Sequence, residues 1–249
     1  MNATSGSEPM PSLALLAGGR ATRLHPLTHA MPKSLVPVAG EPFLAHQLRW
    51  LAGQGVHEVV LCCGYLASQI REYAGDGAAF GVALRYSDDG EQALGTGGAI
   101  RRALSLLGDA FLVMYGDSLL TAPIAPAWRA FQAQKCLGLM TVFRNENRWD
   151  ASNVEIGEGR VLRYEKGSQR AGLTHIDYGL SIFRAEVFAG IPEGRVFDLR
   201  LIFDELIARG QLACHEVRQR FYEIGSFDGL HETEALLGRR GKAQTGAGA

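Results

Sequence analysis

Between Ser12 and Gly116, short apolar runs of β-prone residues alternate with stretches whose apolar residues recur at helical spacing. Such alternation marks βαβ units, and these feed a largely parallel sheet with helices on its faces. Strands are predicted over Leu13 to Ala17, Glu58 to Cys63, Val82 to Tyr86 and Phe111 to Tyr115. Several have the near-continuous apolar character of strands buried on both faces. Phe43, Leu44, Leu48 and Leu51 define a helix face after Pro42, stopped by Gly53 and Gly55. Ile100, Ala103, Leu104 and Leu107 define another.

The second half has a different rhythm. Leu139 to Arg144, Asn153 to Ile156, Val161 to Tyr164 and His175 to Phe183 are closely spaced strand patterns punctuated by Gly157, Gly159, Gly167 and Gly172. Antiparallel additions to the sheet are expected there. A helix over Leu199 to Arg209 precedes strands at Leu212 to Val217 and Phe221 to Ile224, and Ser226 is placed to N-cap a last helix through Leu237. The prediction is one α/β domain over residues 12–237, with a mostly parallel central sheet, between disordered tails at 1–11 and 238–249.

The 249 residues carry a net charge of −1, which offers no broad surface for nucleic acid or membrane, so any anion site must be local. No apolar run reaches the roughly 18 residues of a membrane span, and Met1 to Pro11 lacks the cationic start of a leader, so cytoplasmic residence is expected. Cys62, Cys63, Cys136 and Cys214 show no C-x-x-C spacing and read as reduced thiols.

The strongest local signal follows the first strand: Ala17-Gly18-Gly19-Arg20-Ala21-Thr22-Arg23-Leu24, then Pro32-Lys33-Ser34-Leu35. Glycines after a strand let backbone N–H groups approach phosphate oxygens, while Arg20, Arg23 and Lys33 supply formal charge. A tight turn with solvated arginines has the same composition. The segment is neither a P-loop nor a G-x-G-x-x-G fingerprint. Leu94-Gly95-Thr96-Gly97-Gly98-Ala99 opens a helical pattern, so its donors lie at a helix N-terminus, where a base or ribose can come close; a simple glycine-rich connection is the alternative. Asp117 ends the apolar strand Phe111 to Tyr115, at the strand edge where α/β sheets bind ligands, and serves there as a metal ligand or as a turn residue.

The run from Leu15 to Pro42 resembles the sugar-1-phosphate nucleotidylyltransferases, whose members carry G-G-x-G-T-R-L-x-P-L-T and then P-K-x-L-x-P-V-x-G-x-P. The likeness extends over roughly Leu13 to Leu237 and is nearest to the short heptose-1-phosphate guanylyltransferases. It implies a Rossmann-like nucleotidyltransferase domain that takes a nucleoside triphosphate and a sugar 1-phosphate, requires Mg²⁺, and releases pyrophosphate. Ala17 to Arg23, with Gly90, Leu94, Gly95 and Thr96, would bind the nucleotide, and Arg23, Lys33 and Asp117 would be catalytic, with Arg23 facing the β/γ end and Lys33 near the reacting phosphate. Asp117 and Glu223 would hold the metal, and Asn153, Glu165, Lys166 and Asp177 the sugar phosphate. Ala21, Asp177 and Glu223 depart from the usual Gly, Asn and Asp.

Gly90 stands where members using uridine or thymidine triphosphate often have Gln, which favours GTP, with Asp89 and Glu91 available to a guanine edge or simply solvated. A heptose or mannose 1-phosphate is the favoured acceptor. His175 is a candidate for the pocket edge. The rival readings are a uridylyl- or thymidylyltransferase, a cytidylyltransferase for small alcohol phosphates, and a non-catalytic nucleotide-sugar-binding protein on the same fold. A homo-oligomer is compatible with the sequence.

Overall fold

The computed structural model describes residues 9–19, 22–168 and 170–246, with backbone alone for 22 and 240–246. Strand β1 (Leu13–Leu16) is followed by a short ribbon, β2 (Pro37–Val38) and β3 (Glu41–Pro42), that leads into α1 (Phe43–Gly53). Next come β4 (Glu58–Cys63), α2 (Ala67–Ala74), β5 (Ala83–Asp88), α3 (Gly95–Ala103) and β6 (Ala110–Tyr115). These strands lie in the order β5-β4-β1-β6, all parallel, with Leu15 opposite both Leu61 and Met114.

Alternate residues of β1 enter different cores. Leu13 and Leu15 pack with Leu44, Leu48 and Leu51 of α1 and Ile70 of α2, while Ala14 packs with Ala99, Ile100 and Ala103 of α3. Both faces are covered, which is why these strands read as apolar without alternation. Burying each such leucine contributes about 1.5–3 kcal/mol.

Beyond β6 come β7 (Ser118–Leu119), α4 (Ala125–Gln132), β8 (Gly138–Arg144), β9 (Val154–Gly157), β10 (Arg160–Tyr164) and β11 (His175–Arg184). They are followed by α5 (Glu186–Ala189), α6 (Arg200–Ala208), β12 (Leu212–Val217), β13 (Tyr222–Glu223) and α7 (Phe227–Gly246). The sheet continues as β6-β11-β8-β12-β10-β9; β11 runs antiparallel to both β6 and β8, as the glycine-punctuated pattern implied. β12, by contrast, runs parallel to β8. β9 also meets β11, with His175 opposite Val154, so the last five strands curl back on themselves.

Ser226 caps α7 by accepting a hydrogen bond from Gly229 N–H at 3.0 Å. The helix continues past Leu237 to Gly246, through Gly238 and Gly241. No proline interrupts that stretch, and Arg239, Arg240, Lys242, Ala243 and Gln244 are good helix formers. Among the described residues no helix is long and apolar enough to cross a membrane.

Candidate active site

Glycines let the backbones at the carboxyl ends of β1, β4 and β6 approach closely. A Cβ on Gly116 would lie 2.5 Å from Leu16 O, and one on Gly18 would lie 3.2 Å from Gly64 N. Asp117 follows at once, and its backbone is tied on several sides. Gln47, fully buried on α1, donates its side-chain amide to Tyr115 O at 3.2 Å and to Ser118 O at 2.8 Å, while Ile224 N–H donates to Asp117 O at 2.9 Å. The β7–β13 pair sets Glu223 opposite Ser118, which brings the two sequence-predicted metal carboxylates to one place.

Each already has a partner. Lys33 Nζ lies 2.7 Å from Asp117 Oδ2. The Glu223 carboxylate folds onto the start of α7, accepting from Ser226 Oγ at 2.7 Å and from Gly225 N–H. A Cβ on Gly225 would meet both Glu223 Oε2 and Lys33 Nζ, so the ammonium paired with Asp117 and the Glu223 carboxylate face the same glycine. Two hard oxygen donors beside a bound cationic group suit Mg²⁺ completed by phosphate oxygens. Among the described residues no cluster of three His, Cys, Asp or Glu offers a closed metal cage.

Two clefts meet here. The first, of about 480 Å³, is bounded by Ala17, Gly18, Gly19, Lys33, Asp89 and Thr96, among others. The second, of about 700 Å³, includes Asn153, Lys166, Asp177 and Glu223. Arg23, Tyr115 and Asp117 border both. Cys62 lines the first, where burial pushes its thiol well up, so it is an inert wall and not a thiolate nucleophile.

In the second cleft a bulge in β11, with Gly179 at φ +95, orients Asp177. Burial raises the Asp177 carboxyl above its ordinary range, opposed by the Lys166 charge, Gly179 N–H at 3.0 Å and Tyr164 OH at 3.1 Å. Asp177 N–H donates to Asn153 Oδ1 at 2.9 Å, which leaves the Asn153 Nδ2 donor to a ligand. An acceptor and a donor side by side suit sugar hydroxyls. Lys166 Nζ stands 5.3 Å from the Tyr115 ring and 5.6 Å from that of Tyr164.

Other sequence expectations fall elsewhere. Arg20 and Ala21 lie outside the described residues. Gly90 and Glu91 are exposed and Leu94 is buried, and none of the three borders a cleft, because Leu94 N–H is drawn onto Asp89 Oδ2 at 3.1 Å. The Glu165 carboxylate pairs with Arg163 and Arg170 and does not border the second cleft. His175 is buried on β11 and borders neither cleft.

The glycines of the 94–99 segment serve the protein itself. A Cβ on Gly97 would strike the Phe197 ring, one on Gly98 the Arg195 carbonyl, and one on Gly95 the Phe197 carbonyl. Gly97 N–H donates to Phe197 O at 3.0 Å and Gly98 N–H reaches the same oxygen at 3.3 Å, so those donors are not turned to a ligand. Gln47, Tyr115, Trp149, Arg220 and Tyr222 were not among the residues picked from sequence. Tyr115 and Tyr222 had a local signal, their places two residues before Asp117 and one before Glu223.

The sequence profile of the nucleotidyl transferase family matches residues 14–239. An N-acetylmuramate alpha-1-phosphate uridylyltransferase of Neisseria meningitidis serogroup B is 32% identical over 231 residues, covering 90% of this chain and 97% of that protein. A mannose-1-phosphate guanylyltransferase of Mycobacterium tuberculosis is 32% identical over 246 residues, covering 92% and 68%. The solved structure of HddC from Yersinia pseudotuberculosis complexed with GMP-PN superposes with a TM-score of 0.76 at 22% identity, covering 92% of this chain and 100% of that one, a likeness of fold. The chain belongs to the nucleotidyl transferase family, among its sugar-1-phosphate nucleotidyltransferases.

Proposed function

We propose that this protein transfers a nucleoside monophosphate, with GTP as the favoured donor, to a heptose- or mannose-type sugar 1-phosphate, giving a nucleotide sugar and pyrophosphate. The observation that carries this reading is the sharing of Arg23, Tyr115 and Asp117 by two clefts, one beside the glycine loop and one holding Lys166, Asn153 and Asp177. The first is assigned to the triphosphate and the second to the sugar phosphate. Their common border is then the point of phosphoryl transfer.

Lys166 neutralises the sugar phosphate, while Asp177 and Asn153 bind ring hydroxyls. One phosphate oxygen of the sugar attacks the α-phosphorus of the nucleotide, the bond to the β-phosphate oxygen breaks, and pyrophosphate leaves. Arg23 and Lys33 offset the charge that develops on the transferred and departing groups. Asp117 and Glu223 are the residues that would hold Mg²⁺, which supplies further neutralisation of phosphate charge. A phosphate monoester is already nucleophilic near neutral pH, so alignment and electrostatics suffice without a dedicated base.

Guanine is favoured through Asp89. Its half-buried carboxylate is anchored by Leu94 N–H and borders the first cleft, so it can accept from guanine N1 and N2. The similarity at 32% identity to both a uridylyl- and a guanylyltransferase keeps UTP as the second reading. Pyrophosphate release should be measured over GTP, UTP, dTTP, CTP and ATP crossed with several sugar 1-phosphates. A clear preference for UTP or dTTP would overturn the guanylyl assignment, and no turnover with any pair would overturn the acceptor and donor assignments together.

A further inference from the structure

The mouth of the second cleft carries a feature the transfer chemistry does not use. Trp149, 57% exposed, sits on the connection between β8 and β9. That connection is held firmly: Asn145 Nδ2 donates to Asp150 O at 2.6 Å, Ser152 N–H donates to Asn147 Oδ1 at 2.8 Å, and Trp149 N–H donates to Asn145 Oδ1 at 3.3 Å. The indole lies against the Arg220 guanidinium, 3.9 Å from ring centroid to Cζ, and Arg220 also lies 4.9 Å from the Tyr222 ring. Glu232 of α7 accepts a hydrogen bond from the same guanidinium, and Thr121 Oγ1 donates to Arg220 O at 2.7 Å.

A surface arginine gains little from one ion pair, but this one is fixed between two rings and a carboxylate delivered by three separate elements. The result is a rigid aromatic and guanidinium wall bordering the cleft. An ordered, exposed indole at a cleft mouth is a large contact surface that loses little conformational entropy when a ligand packs on it.

Size and charge narrow the ligand. At about 700 Å³ this cleft exceeds the one of about 480 Å³ assigned to the triphosphate. A plain hexose 1-phosphate is smaller than a nucleoside triphosphate and would leave this end of the cleft unfilled. The Arg220 charge is answered by Glu232, Arg148 shares the Glu146 carboxylate with Arg144, and Asp150 and Asp228 stand in the same cleft. With Lys166 assigned to the sugar phosphate and Arg23 to the triphosphate, no unpaired cation is left among the described residues of this cleft for a second anionic group.

We propose that Trp149, Arg220 and Tyr222 form an acceptor-specificity subsite that receives a neutral, hydroxyl- or amide-bearing extension of the sugar beyond a plain hexose. This rests on the assignment of the second cleft to the sugar 1-phosphate. The test compares kcat/KM of the wild type and Trp149→Ala for a manno-heptose 1-phosphate, N-acetylglucosamine 1-phosphate and mannose 1-phosphate, with GTP and UTP as donors. The variant should lose about tenfold on the preferred extended sugar and about twofold or less on mannose 1-phosphate, with the KM for the nucleotide unchanged.

Of the three tryptophans, Trp149 alone borders the clefts, so the preferred extended sugar phosphate should change the emission of the wild type. Trp149→Phe, which keeps a ring against Arg220, should lose that signal while losing less kcat/KM on the extended sugar than Trp149→Ala, which guards against a poorly folded alanine variant. Equal losses on mannose and extended sugars, or an emission change that survives in Trp149→Phe, would overturn the subsite and leave the transferase reading standing. Absence of wild-type turnover with every sugar 1-phosphate would instead overturn the cleft assignment on which the subsite rests.

Discussion

Gln47→Leu isolates the support beneath Asp117. The wild-type amide donates to the carbonyls of Tyr115 and Ser118, which flank the Gly116-Asp117 turn. Each buried carbonyl left unpaired costs about 1–3 kcal/mol, with the 3.2 Å bond at the low end and the 2.8 Å bond higher. Leucine also removes Gln47 Oε1, a buried acceptor with no partner among the described residues, and recovers about 1 kcal/mol. The net expectation is a loss of about 2 kcal/mol, read as a lower urea midpoint at unchanged m.

Because the two carbonyls bracket Asp117, the folded leucine variant should also need more Mg²⁺ for half-maximal turnover, with the KM for the sugar phosphate unaltered. Gln47→Glu gives an independent sign. A buried carboxyl facing two carbonyls is held above its ordinary pKa, so its penalty is small below the usual carboxylate range and grows as pH rises through the raised value. A leucine variant with wild-type stability and Mg²⁺ dependence would refute the idea that this clamp holds the turn.

Asp117→Asn should abolish Mg²⁺-dependent turnover while thermal melting remains cooperative, since the residue lies at a partly exposed strand end; near-normal turnover would remove it from the metal site. Lys166→Ala should weaken use of the sugar phosphate and Arg23→Ala use of the triphosphate, each by about 1.5–3 kcal/mol, and kinetics with each substrate varied separately would expose a reversed pattern. Asp177→Asn should raise Tm at neutral pH, because burial lifts this carboxyl and its ionisation costs folding energy. The wild type loses that stability as pH rises through the raised value, so the advantage of the variant should vanish below the ordinary carboxylate range. A gain independent of pH would assign the effect to packing.

The parallel half of the sheet was legible because both faces of its inner strands are buried, and continuous apolar runs such as Phe111 to Tyr115 have few other uses. The grouping of Arg23, Lys33 and Asp117 was legible only through the family resemblance; in the structure two short 3₁₀ turns, Thr22–Leu24 and Lys33–Leu35, and the end of β6 carry them. The second half was harder. The parallel pairing of β12 with β8 is set by a crossover through α5 and α6 that no local pattern records. Glycine was the least reliable guide, since Gly18 and Gly116 allow backbone contact at the site, whereas Gly95, Gly97 and Gly98 make room for the 195–197 segment. Composition cannot tell whether a missing Cβ admits a ligand or a phenylalanine. Trp149 and Arg220, 71 residues apart, meet only in three dimensions.

The charge arrangement of the ligand-free centre bears on how binding and chemistry are linked under the proposed reading. Asp117 is neutralised by Lys33, Glu223 by the hydrogen-bond donors that begin α7, and Asp177 by its buried setting opposite Lys166. Without such partners, close carboxylates would repel one another across a low-dielectric cleft, so the native contacts lower the cost of holding them together. The same contacts must be exchanged when phosphates enter. Lys33 has to turn from Asp117 to reach a phosphate oxygen, and that movement becomes favourable only when another cation replaces it beside Asp117. The ammonium therefore serves in succession as a counter-ion for the carboxylate and as a counter-ion for the phosphate. Lys166 acts on Asp177 in the second cleft only through its charge, without an ion pair, and its distance from the Tyr115 and Tyr164 rings leaves it weakly held. The nucleotide-side lysine is thus drawn off a carboxylate by its phosphate, whereas the lysine of the second cleft meets its phosphate with no ion pair to break.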